Sequence, residues 1–281
     1  MTLVVIGDLV ADLIVLGGAA LERGTDNPAE VRLTRGGSAA NVAVAAAPRH
    51  PARFIGRVGD DTLARALVLE LEAAGVDVRV QRDGRTGSIV VLVDAVGERT
   101  MITDRGAAAE LDEIDPSWLD DAGWVHVPLY GLAEARSRRA VTDAATRAAG
   151  DGARVSLDLS SVATLRAMGA AGLRSALAAL RPDVVFANED EARVAAELGV
   201  RPAPRGVYVV KRGAEPVLVT TADATNEVPV VRVDDVLDST GAGDAFAAGY
   251  IVAALAGSDA RESARAGSVL AMGALRRPGA L

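Results

Sequence analysis

The chain has 281 residues, of which 50% are hydrophobic and only 3% aromatic, and its formal net charge is -8. An acidic chain lacks the basic face that binding to nucleic acid or to an anionic membrane requires, so both partners are excluded. No cysteine is present, which excludes disulfides and thiol chemistry. The length suits one large α/β domain, and we predict a single domain over residues 1–281 with a core of Ala, Val and Leu.

The N-terminal segment is apolar, but Asp8 and Asp12 interrupt it and no basic residue precedes it. This is not the pattern of a signal peptide, and we interpret the segment as a strand. The longest later apolar run, Ala245 to Gly257, is too short to cross a bilayer. We therefore expect a cytoplasmic enzyme that acts on a small molecule.

Short β-rich runs alternate with Ala- and Leu-rich stretches of helical period along most of the chain. Examples of the β-rich runs are LVVIG, ARFIGRVG, WVHVPL, RVSLDLS, DVVFAN and GVYVVKRG. Such alternation is typical of parallel βαβ winding, in which helices cover both faces of a sheet. We predict a doubly wound, mainly parallel α/β fold.

Two segments break this alternation, at about residues 10–35 and about residues 78–104. Both have the pattern of extended chain with turn signals and no intervening helix, so we predict that they pair into a small separate sheet. Because no repeat or low-complexity linker is found, this sheet is predicted to be an outgrowth of the same domain. A lid over the functional site is its natural role.

The stretch DSTGAGDAF, residues 238–246, joins a β-rich run to a helix through two glycines and an aspartate. Glycines let backbone N–H groups approach a ligand, and a helix start offers unpaired donors and a positive dipole end. Gly241, Ala242 and Gly243 therefore suit an anion such as phosphate. Asp244 would repel that anion, but it suits a base that takes a proton from a hydroxyl attacking phosphorus.

The same stretch also fits an ordinary helix N-terminus, with Ser or Thr as the cap and Asp244 in the first turn. Two familiar glycine motifs fit poorly. The Gly-Lys-Ser/Thr of a Walker loop is absent, and the third glycine of a dinucleotide fingerprint is missing. From these residues alone, phosphoryl transfer and a purely structural helix start both remain open.

Three motifs in a fixed order resemble the ribokinase-like (PfkB) family of sugar and nucleoside kinases. DSTGAGDAF resembles the C-terminal family signature, GGSAANVAVAAA (36–47) the N-terminal one, and residues 54–78 follow in the family order. The resemblance covers nearly the whole chain. It implies a ribokinase-like kinase that uses ATP and Mg²⁺ to phosphorylate an alcohol.

By this resemblance Asp244 is the catalytic base, and Gly241, Ala242 and Gly243 form the anion hole around the transferred phosphate. Each implied substrate contact also has a plain structural reading, as a turn residue or as a solvated surface arginine. The implied substrate contacts are Asp12, Gly36, Gly37, Asn41 and Arg105.

The pair Asn188 and Glu191 resembles the family's Asn-x-x-Glu motif, which organises magnesium and phosphate, often through water. Oxygen ligands suit Mg²⁺, which keeps most of its waters. The same spacing is also a capping box, with Asn as the N-cap and Glu three residues later. Both interpretations can hold together.

The turn VVKRGAEPV resembles the strand and turn beside the nucleotide in the family, so Lys211 and Gly213 are implied ATP contacts. Asp238 and Thr240 match positions that hold a monovalent cation in some relatives. The resemblance therefore extends to activation by K⁺. In some relatives the lid sheets of two subunits pair, which implies a homodimer through the lid.

One difference between this sequence and ribokinases concerns substrate specificity. Ribokinases tend to carry an acidic contact at the end of the strand VHVPLYGL, where this chain has Leu129 or Tyr130. We therefore expect phosphorylation of the terminal CH₂OH of a sugar or sugar acid, without a specific assignment to ribose. A nucleoside kinase of the same family is the nearest alternative, although three Phe, three Tyr and two Trp offer few stacking partners for a base. A non-catalytic sugar or nucleotide sensor is the other alternative, but binding alone does not need a base at position 244.

Overall fold

The computed structural model of the chain describes residues 1–16, 21–94, 99–202, 206–233, 236 and 239–276. Two sheets account for the strands in this part of the chain. The main sheet contains β1 (Thr2–Ile6), β4 (Ala52–Val58), β5 (Asp77–Arg82), β8 (Ala122–Pro128), β9 (Arg154–Asp158), β10 (Val184–Asn188), β11 (Val207–Arg212), β12 (Glu215–Thr220) and β13 (Thr225–Val228). The small sheet contains β2 (Val10–Leu16), β3 (Glu30–Gly36), β6 (Thr86–Val93) and β7 (Arg99–Gly106).

Helices connect most of the main-sheet strands. They are α1 (Ser38–Ala46), α2 (Thr62–Ala73), α3 (Ala135–Gly150), α4 (Val162–Leu180), α5 (Glu189–Glu197), α6 (Ala242–Leu255) and α7 (Ala260–Leu275). Short 3₁₀ helices occupy Ala107–Ala109, Pro116–Leu119 and Leu129–Leu132.

The main sheet has nine strands in the order β13-β12-β11-β10-β9-β8-β1-β4-β5. From β5 to β11 all neighbours are parallel, and only β12 and β13 pair antiparallel. The chain winds outward from β1 in both directions, so the strand order reverses between β1 and β8. Ligands of such sheets bind beyond the carboxyl ends of the strands at this reversal.

Alternating side chains along each central strand supply two hydrophobic cores, one on each face of the sheet. Leu3 and Val5 of β1 pack in the core that includes residues of α1, α2 and α6, whereas Val4 and Ile6 pack in the core with α3, α4 and α5. This is the pattern of a parallel strand buried on both faces. The predicted doubly wound, mainly parallel α/β fold is confirmed.

The small sheet has the order β3-β2-β6-β7 and is separate from the main sheet, as predicted. The prediction of its second segment was too long. Residues 77–82 form β5, which pairs with β4 at the edge of the main sheet. Because β5 directly follows α2, it completes another βαβ unit, and the extended pattern of the sequence does not distinguish such an edge strand from a lid strand. We call the small sheet (β2, β3, β6, β7) the lid sheet.

No helix in the described part of the chain is long and apolar enough to cross a membrane.

Candidate active site

A cavity of about 780 Å³ lies between the carboxyl edge of the main sheet and the lid sheet. This volume is in the range of small-molecule binding sites. Residues from the ends of five neighbouring strands line it, as the reversal of strand order predicts. They are Asp8, Tyr130, Asp158, Asn188 and Lys211.

One end of the cavity is formed by Ser38, Asn41 and residues 241–244, a group that we call the helix end. Asp244 lies in the first turn of α6, where its two carboxylate oxygens accept hydrogen bonds from α1. Ser38 Oγ donates to Oδ1 over 2.6 Å, and Asn41 Nδ2 donates to Oδ2 over 2.9 Å. The two predicted family signatures therefore meet at the carboxylate of Asp244.

The local sequence explains why both helices begin at this point. Gly37 and Gly241 are the N-cap residues of α1 and α6, with φ values of 103° and 73° that other residues rarely adopt. Buried alanines on the facing helices, such as Ala40 and Ala247, keep both in one core. Small side chains permit close approach of the two helices, which brings their first turns together.

The environment of Asp244 alters its acidity. Burial, together with the nearby carboxylate of Asp158, raises the pKa of Asp244 to about 7. The hydrogen bonds from Ser38 and Asn41 and the charge of Lys211 oppose this rise. A pKa near neutrality suits a general base, because the group then accepts a proton readily yet is still ionised at physiological pH.

The backbone beside Asp244 is consistent with an anion hole. Gly241, Ala242 and Gly243 line the cavity at the start of α6, where a helix has unpaired N–H groups. The N–H of Ala242 already donates to the Ser239 carbonyl over 3.3 Å. An anion at this position would therefore be held chiefly by the N–H groups that follow.

Asn188 and Glu191 form the capping box that their spacing predicts. Asn188 Oδ1 accepts from the Glu191 N–H over 2.8 Å, while Glu191 Oε2 accepts from the Asn188 N–H over 2.8 Å. Glu191 Oε1 also accepts from Asn188 Nδ2 over 2.9 Å. Both carboxylate oxygens of Glu191 are therefore engaged at the start of α5.

Lys211 lies at the end of β11, where its Nζ donates to Asp158 Oδ2 over 2.7 Å. Although burial lowers the pKa of Lys211, the carboxylates of Asp158, Glu191 and Asp244 outweigh it, and the pKa is raised. The lysine is also close to the helix end: a Cβ added to Gly243 would lie 3.3 Å from Nζ. Lys211 is thus a fixed cation beside the predicted anion hole, and Gly213 lines the cavity in the turn that follows β11.

The acidic side chains around Lys211 determine how the cavity could accommodate Mg²⁺. Among the described residues, no three His, Cys, Asp or Glu side chains form a group that would hold a metal ion. However, the three carboxyl groups of Asp158, Glu191 and Asp244 surround the single cation of Lys211, and burial and the carboxylate of Asp158 raise the pKa of Glu191 to about 7. Such a site fits Mg²⁺ that is carried mainly by substrate phosphates and water, with the protein carboxylates at a distance.

A second part of the cavity is formed by Asp8, Asp12, Arg105 and Tyr130, a group that we call the lid end. Arg105 of β7 donates from Nη1 to Asp8 Oδ2 over 2.9 Å, and its guanidinium lies 3.9 Å from the centre of the Tyr130 ring. Two contacts of this kind hold the arginine in one position. Tyr130 lines the cavity, whereas Leu129 is buried in the core.

Asp12 lies on β2 of the lid sheet, directly against Gly36. A side chain at position 36 could not fit, because its Cβ would lie 2.1 Å from Asp12 Oδ1. That oxygen is buried and has no hydrogen-bond partner among the described residues. Burial and the carboxylate of Asp8 raise the pKa of Asp12 to about 6, which the charge of Arg35 opposes. Asp12 as a whole is half-buried and lines the cavity, so its carboxylate suits a ligand hydroxyl.

The positions implied for a monovalent cation are only partly described. The Thr240 hydroxyl accepts a hydrogen bond from Arg99 of β7, which links the lid sheet to the loop before α6. Asp238 lies outside the described residues.

Sequence reasoning missed Asp8, Ser38 and Asp158. Asp8 follows β1 and Asp158 ends β9, so both lie at the edge where the parallel fold places its ligand. The rule that ligands bind beyond the carboxyl ends of parallel strands would have found both aspartates. Ser38 lies inside the quoted N-terminal motif, but no sequence pattern pairs it with a residue 206 positions away.

Comparison with known proteins gives the family. A sequence profile described as pfkB family carbohydrate kinase matches residues 1–281. The chain belongs to the pfkB family of carbohydrate kinases. This confirms the resemblance that the three sequence motifs indicate.

Relatives within the family act on different substrates. The ATP-dependent ribose-1-phosphate kinase of Halopiger xanaduensis is 37% identical over 250 residues, covering 83% of this chain and 79% of that protein. The adenosine kinase of Saccharomyces cerevisiae is 29% identical over 272 residues, covering 86% of this chain and 78% of that protein. The crystal structure of a fructokinase with bound ATP from Xylella fastidiosa is similar with a TM-score of 0.85 and 26% identity, covering 99% of this chain and 93% of that one.

These relatives confirm that this pfkB protein is an ATP-dependent kinase of a sugar or a nucleoside.

Proposed function

We propose that this pfkB kinase transfers the γ-phosphoryl group of ATP to a hydroxymethyl group of a sugar or an anionic sugar derivative, with Asp244 as the general base. One observation carries the proposal. A carboxylate whose pKa is raised to about 7 lies in the first turn of α6, beside the backbone of Gly241 to Gly243 and within the cavity. Phosphate binding alone would not favour a carboxylate there.

In the proposed reaction, ionised Asp244 takes the proton of the substrate hydroxyl, whose oxygen attacks the γ-phosphorus as ADP leaves. Ser38 and Asn41 hold the carboxylate through one hydrogen bond to each oxygen. Each carboxylate oxygen has a second lone pair, so both bonds can persist while the substrate hydroxyl binds.

Charge on the transferred group would be stabilised by two kinds of donor. They are the N–H groups at the start of α6 and Lys211, which Asp158 fixes close to Gly243. Mg²⁺ carried by the nucleotide phosphates would neutralise charge on the β- and γ-oxygens. Asn188 and Glu191 fit a role in orienting the water around that ion. Activation by K⁺ is proposed on Thr240 and Asp238 from the family resemblance alone.

The lid end would hold the substrate. The carboxylate of Asp12 lines the cavity and suits a sugar hydroxyl, and Asn41, which also lines it, has a second N–H for another. Arg105 has further donors beyond its bond to Asp8, which would suit a carboxylate or phosphate on the sugar. The ribose-1-phosphate kinase among the relatives adds support for an anionic sugar.

A nucleoside is the less favoured substrate, because few aromatic side chains in the cavity are available to stack on a base. Among the described residues, the aromatic side chains that line it are Tyr130 and Phe246. Phe246 is buried in the core, and Arg105 covers one face of Tyr130. A base would therefore find few free aromatic faces. A sensor without catalysis would not need a base with a raised pKa beside an anion hole.

The test is release of ADP in a coupled assay with Mg²⁺, ATP and K⁺. The panel contains pentoses, hexoses, sugar acids, sugar phosphates and nucleosides, and the Asp244→Asn protein is the matched blank. We expect turnover with a sugar or an anionic sugar. Because ATP is the proposed donor, we also propose that the protein acts in the cytoplasm. Turnover only with nucleosides would replace the proposed substrate class. Binding of ATP without turnover on any member would support the sensor.

We also propose a homodimer through the lid sheet. Alternation of side chains places Asp12, Ile89 and Met101 on the face that lines the cavity. The opposite face is aliphatic, and several of its side chains are exposed. It comprises Leu13, Val15, Val31, Leu33, Val90, Leu92 and Ile102. An exposed aliphatic face of this extent is typical of an interface between proteins.

Light scattering on the wild-type protein and on Leu33→Asp tests the dimer. Leu33 is 61% exposed, so its replacement should not unfold the chain but should leave a monomer. The matched control is Leu69→Asp on α2, where the leucine is 64% exposed and lies outside the lid sheet. A wild-type protein that is monomeric at assay concentration would contradict the proposal.

A further inference from the structure

Arg35 lies behind the helix end, at the end of β3, where its side chain is only 1% exposed. Its Nη1 donates to Asn41 Oδ1 over 2.6 Å. Its Nε lies 3.4 Å from Oε1 of Glu70 on α2, whose side chain is 55% exposed. Arg35 therefore connects Glu70 at the surface with the amide that contacts Asp244.

The chemistry of these groups fixes the orientation of the Asn41 amide. Arginine only donates hydrogen bonds, so the amide atom that faces Arg35 must be the oxygen. An ionised carboxylate only accepts, so the amide atom that faces Asp244 must be the nitrogen. The distances of 2.6 Å and 2.9 Å satisfy both requirements in one orientation. A reversed amide would oppose oxygen to carboxylate on one side and NH₂ to guanidinium on the other.

We propose that Arg35 is a positioning residue that holds the Asn41 amide with its nitrogen toward Asp244, and so keeps a donor on the base. The part of this inference that concerns catalysis rests on the proposed function. The part that concerns the amide rests on the two hydrogen bonds alone.

Removing Arg35 should act on Asp244 through that donor and also directly, because the charges of Arg35 and Asp244 interact. A turned amide would present its oxygen to the carboxylate, which disfavours ionisation. A hydrogen bond to a charged group corresponds to a rise of about 1 pH unit in the midpoint of the Asp244 titration. The other groups near this carboxylate would be unchanged in the variant. They are Ser38 on α1, Asp158 at the end of β9, Glu191 on α5 and Lys211 on β11.

The experiment is ¹³C NMR titration of the Asp244 carboxyl in wild-type protein, Arg35→Met, Arg35→Lys and Arg57→Met. Arg57 is a matched control, because it is also buried and ion-paired, but its hydrogen bonds go to Asp83 and the Glu110 carbonyl and not to Asn41. We expect the midpoint to rise in Arg35→Met, to return part of the way in Arg35→Lys, and to stay at the wild-type value in Arg57→Met. The acid limb of kcat/KM should move with it.

A midpoint in Arg35→Met equal to that in Arg57→Met would overturn the inference. A raised midpoint in Arg35→Met with Asn41 NH₂ signals that still follow the Asp244 titration would also overturn it, because loss of the Arg35 charge alone would then explain the rise. If Arg35→Met does not fold, the contact between Asn41 and Asp244 can still be tested in the wild-type protein. The Asn41 side-chain NH₂ signals, assigned by their loss in Asn41→Asp, should move with the Asp244 titration, and signals that stay still would refute the contact. These titrations need no substrate, so a failure of the coupled assay and a failure of the positioning role are distinguished.

Discussion

The two ends of the cavity are built in different ways. The helix end is formed by the first turns of α1 and α6, whose residues are joined directly by hydrogen bonds of 2.6 and 2.9 Å. The lid end gathers Asp8 from the loop after β1, Asp12 and Arg105 from the lid sheet, and Tyr130 from a 3₁₀ helix. One end depends on helix packing, and the other depends on where the lid sheet lies.

This difference suggests a division of work. Groups on packed helices are held in place before the substrate arrives, as stabilisation of a transferring phosphoryl group requires. Groups on a lid can change without disturbing that chemistry, and lids commonly close over substrates. We therefore expect changes at the helix end to lower kcat and changes at the lid end to alter KM for the acceptor. Each prediction below tests that separation.

The largest effect is expected from Asp244→Asn. Loss of a general base should lower kcat by about 10²- to 10⁴-fold, while the affinity for ATP, measured by calorimetry, stays near that of the wild-type protein. A kcat close to the wild-type value would remove Asp244 from the mechanism. Equal loss of ATP affinity would instead assign it to binding.

Thermal unfolding provides the control for Asp244→Asn. Because the pKa of Asp244 is raised from 3.8 to about 7 in the folded state, its contribution to stability falls as pH rises between these values. The variant lacks this penalty, so its Tm relative to that of the wild-type protein should be higher at pH 8 than at pH 4. Inactivity with a lower Tm at pH 8 would indicate misfolding and leave the loss of kcat uninterpretable as catalysis.

Arg105→Gln should act at the lid end. The variant loses a charged hydrogen bond and leaves Asp8 without its ion pair, so KM for the acceptor should rise about 10- to 100-fold, with a smaller change in kcat. The matched control is Arg85→Gln, because Arg85 pairs with Asp104 at the exposed surface nearby. If kcat falls more than KM rises, the two ends are not separable in this way.

The sequence predicted the helix end more fully than the lid end, for a physical reason. Asp244, the proposed anion hole and Asn41 lie within two short motifs, because glycines and a first helical turn build each half of that end locally. The contacts of Ser38 and Asn41 with Asp244 join the two halves across more than 200 residues and were not predicted. The capping box of Asn188 and Glu191 is local in the same way. The contacts of Arg105 with Asp8 and Tyr130 join three distant segments, so no spacing of residues in the sequence predicts them.

The fold shows the same limit. Alternating β-rich and helical patterns predicted the main sheet, because each strand and helix buries its own face. The patterns did not place β5, since an extended run at residues 77–82 fits an edge strand of either sheet. Pairing across the chain decides such cases, and one sequence carries little information on it.

The dependence of activity on pH should show one titration step from the helix end and one from the lid end. Asp244, with a pKa raised to about 7, must lose its proton to act as base, so kcat/KM should fall about tenfold per pH unit below that value. Asp12, with a pKa raised to about 6, should add a second, lower step through substrate binding. In Asp12→Asn the step near pH 7 should persist. A profile flat from pH 5 to 8 would exclude Asp244 as the base.

The smallest effect is expected from Asn188→Ala, which asks whether the helix end extends to α5. The substitution removes an N-cap and should cost about 1 kcal/mol of stability, lowering Tm by about 2–4 °C. Asp259→Ala is a matched control, because Asp259 caps α7 by accepting from the N–H groups of Arg261 and Glu262. Both variants should lose similar stability, but only Asn188→Ala should raise KM for ATP at limiting Mg²⁺. Equal KM values in the two variants would leave Asn188 and Glu191 as a structural cap, and the nucleotide would then be held by α6 and Lys211 without help from α5.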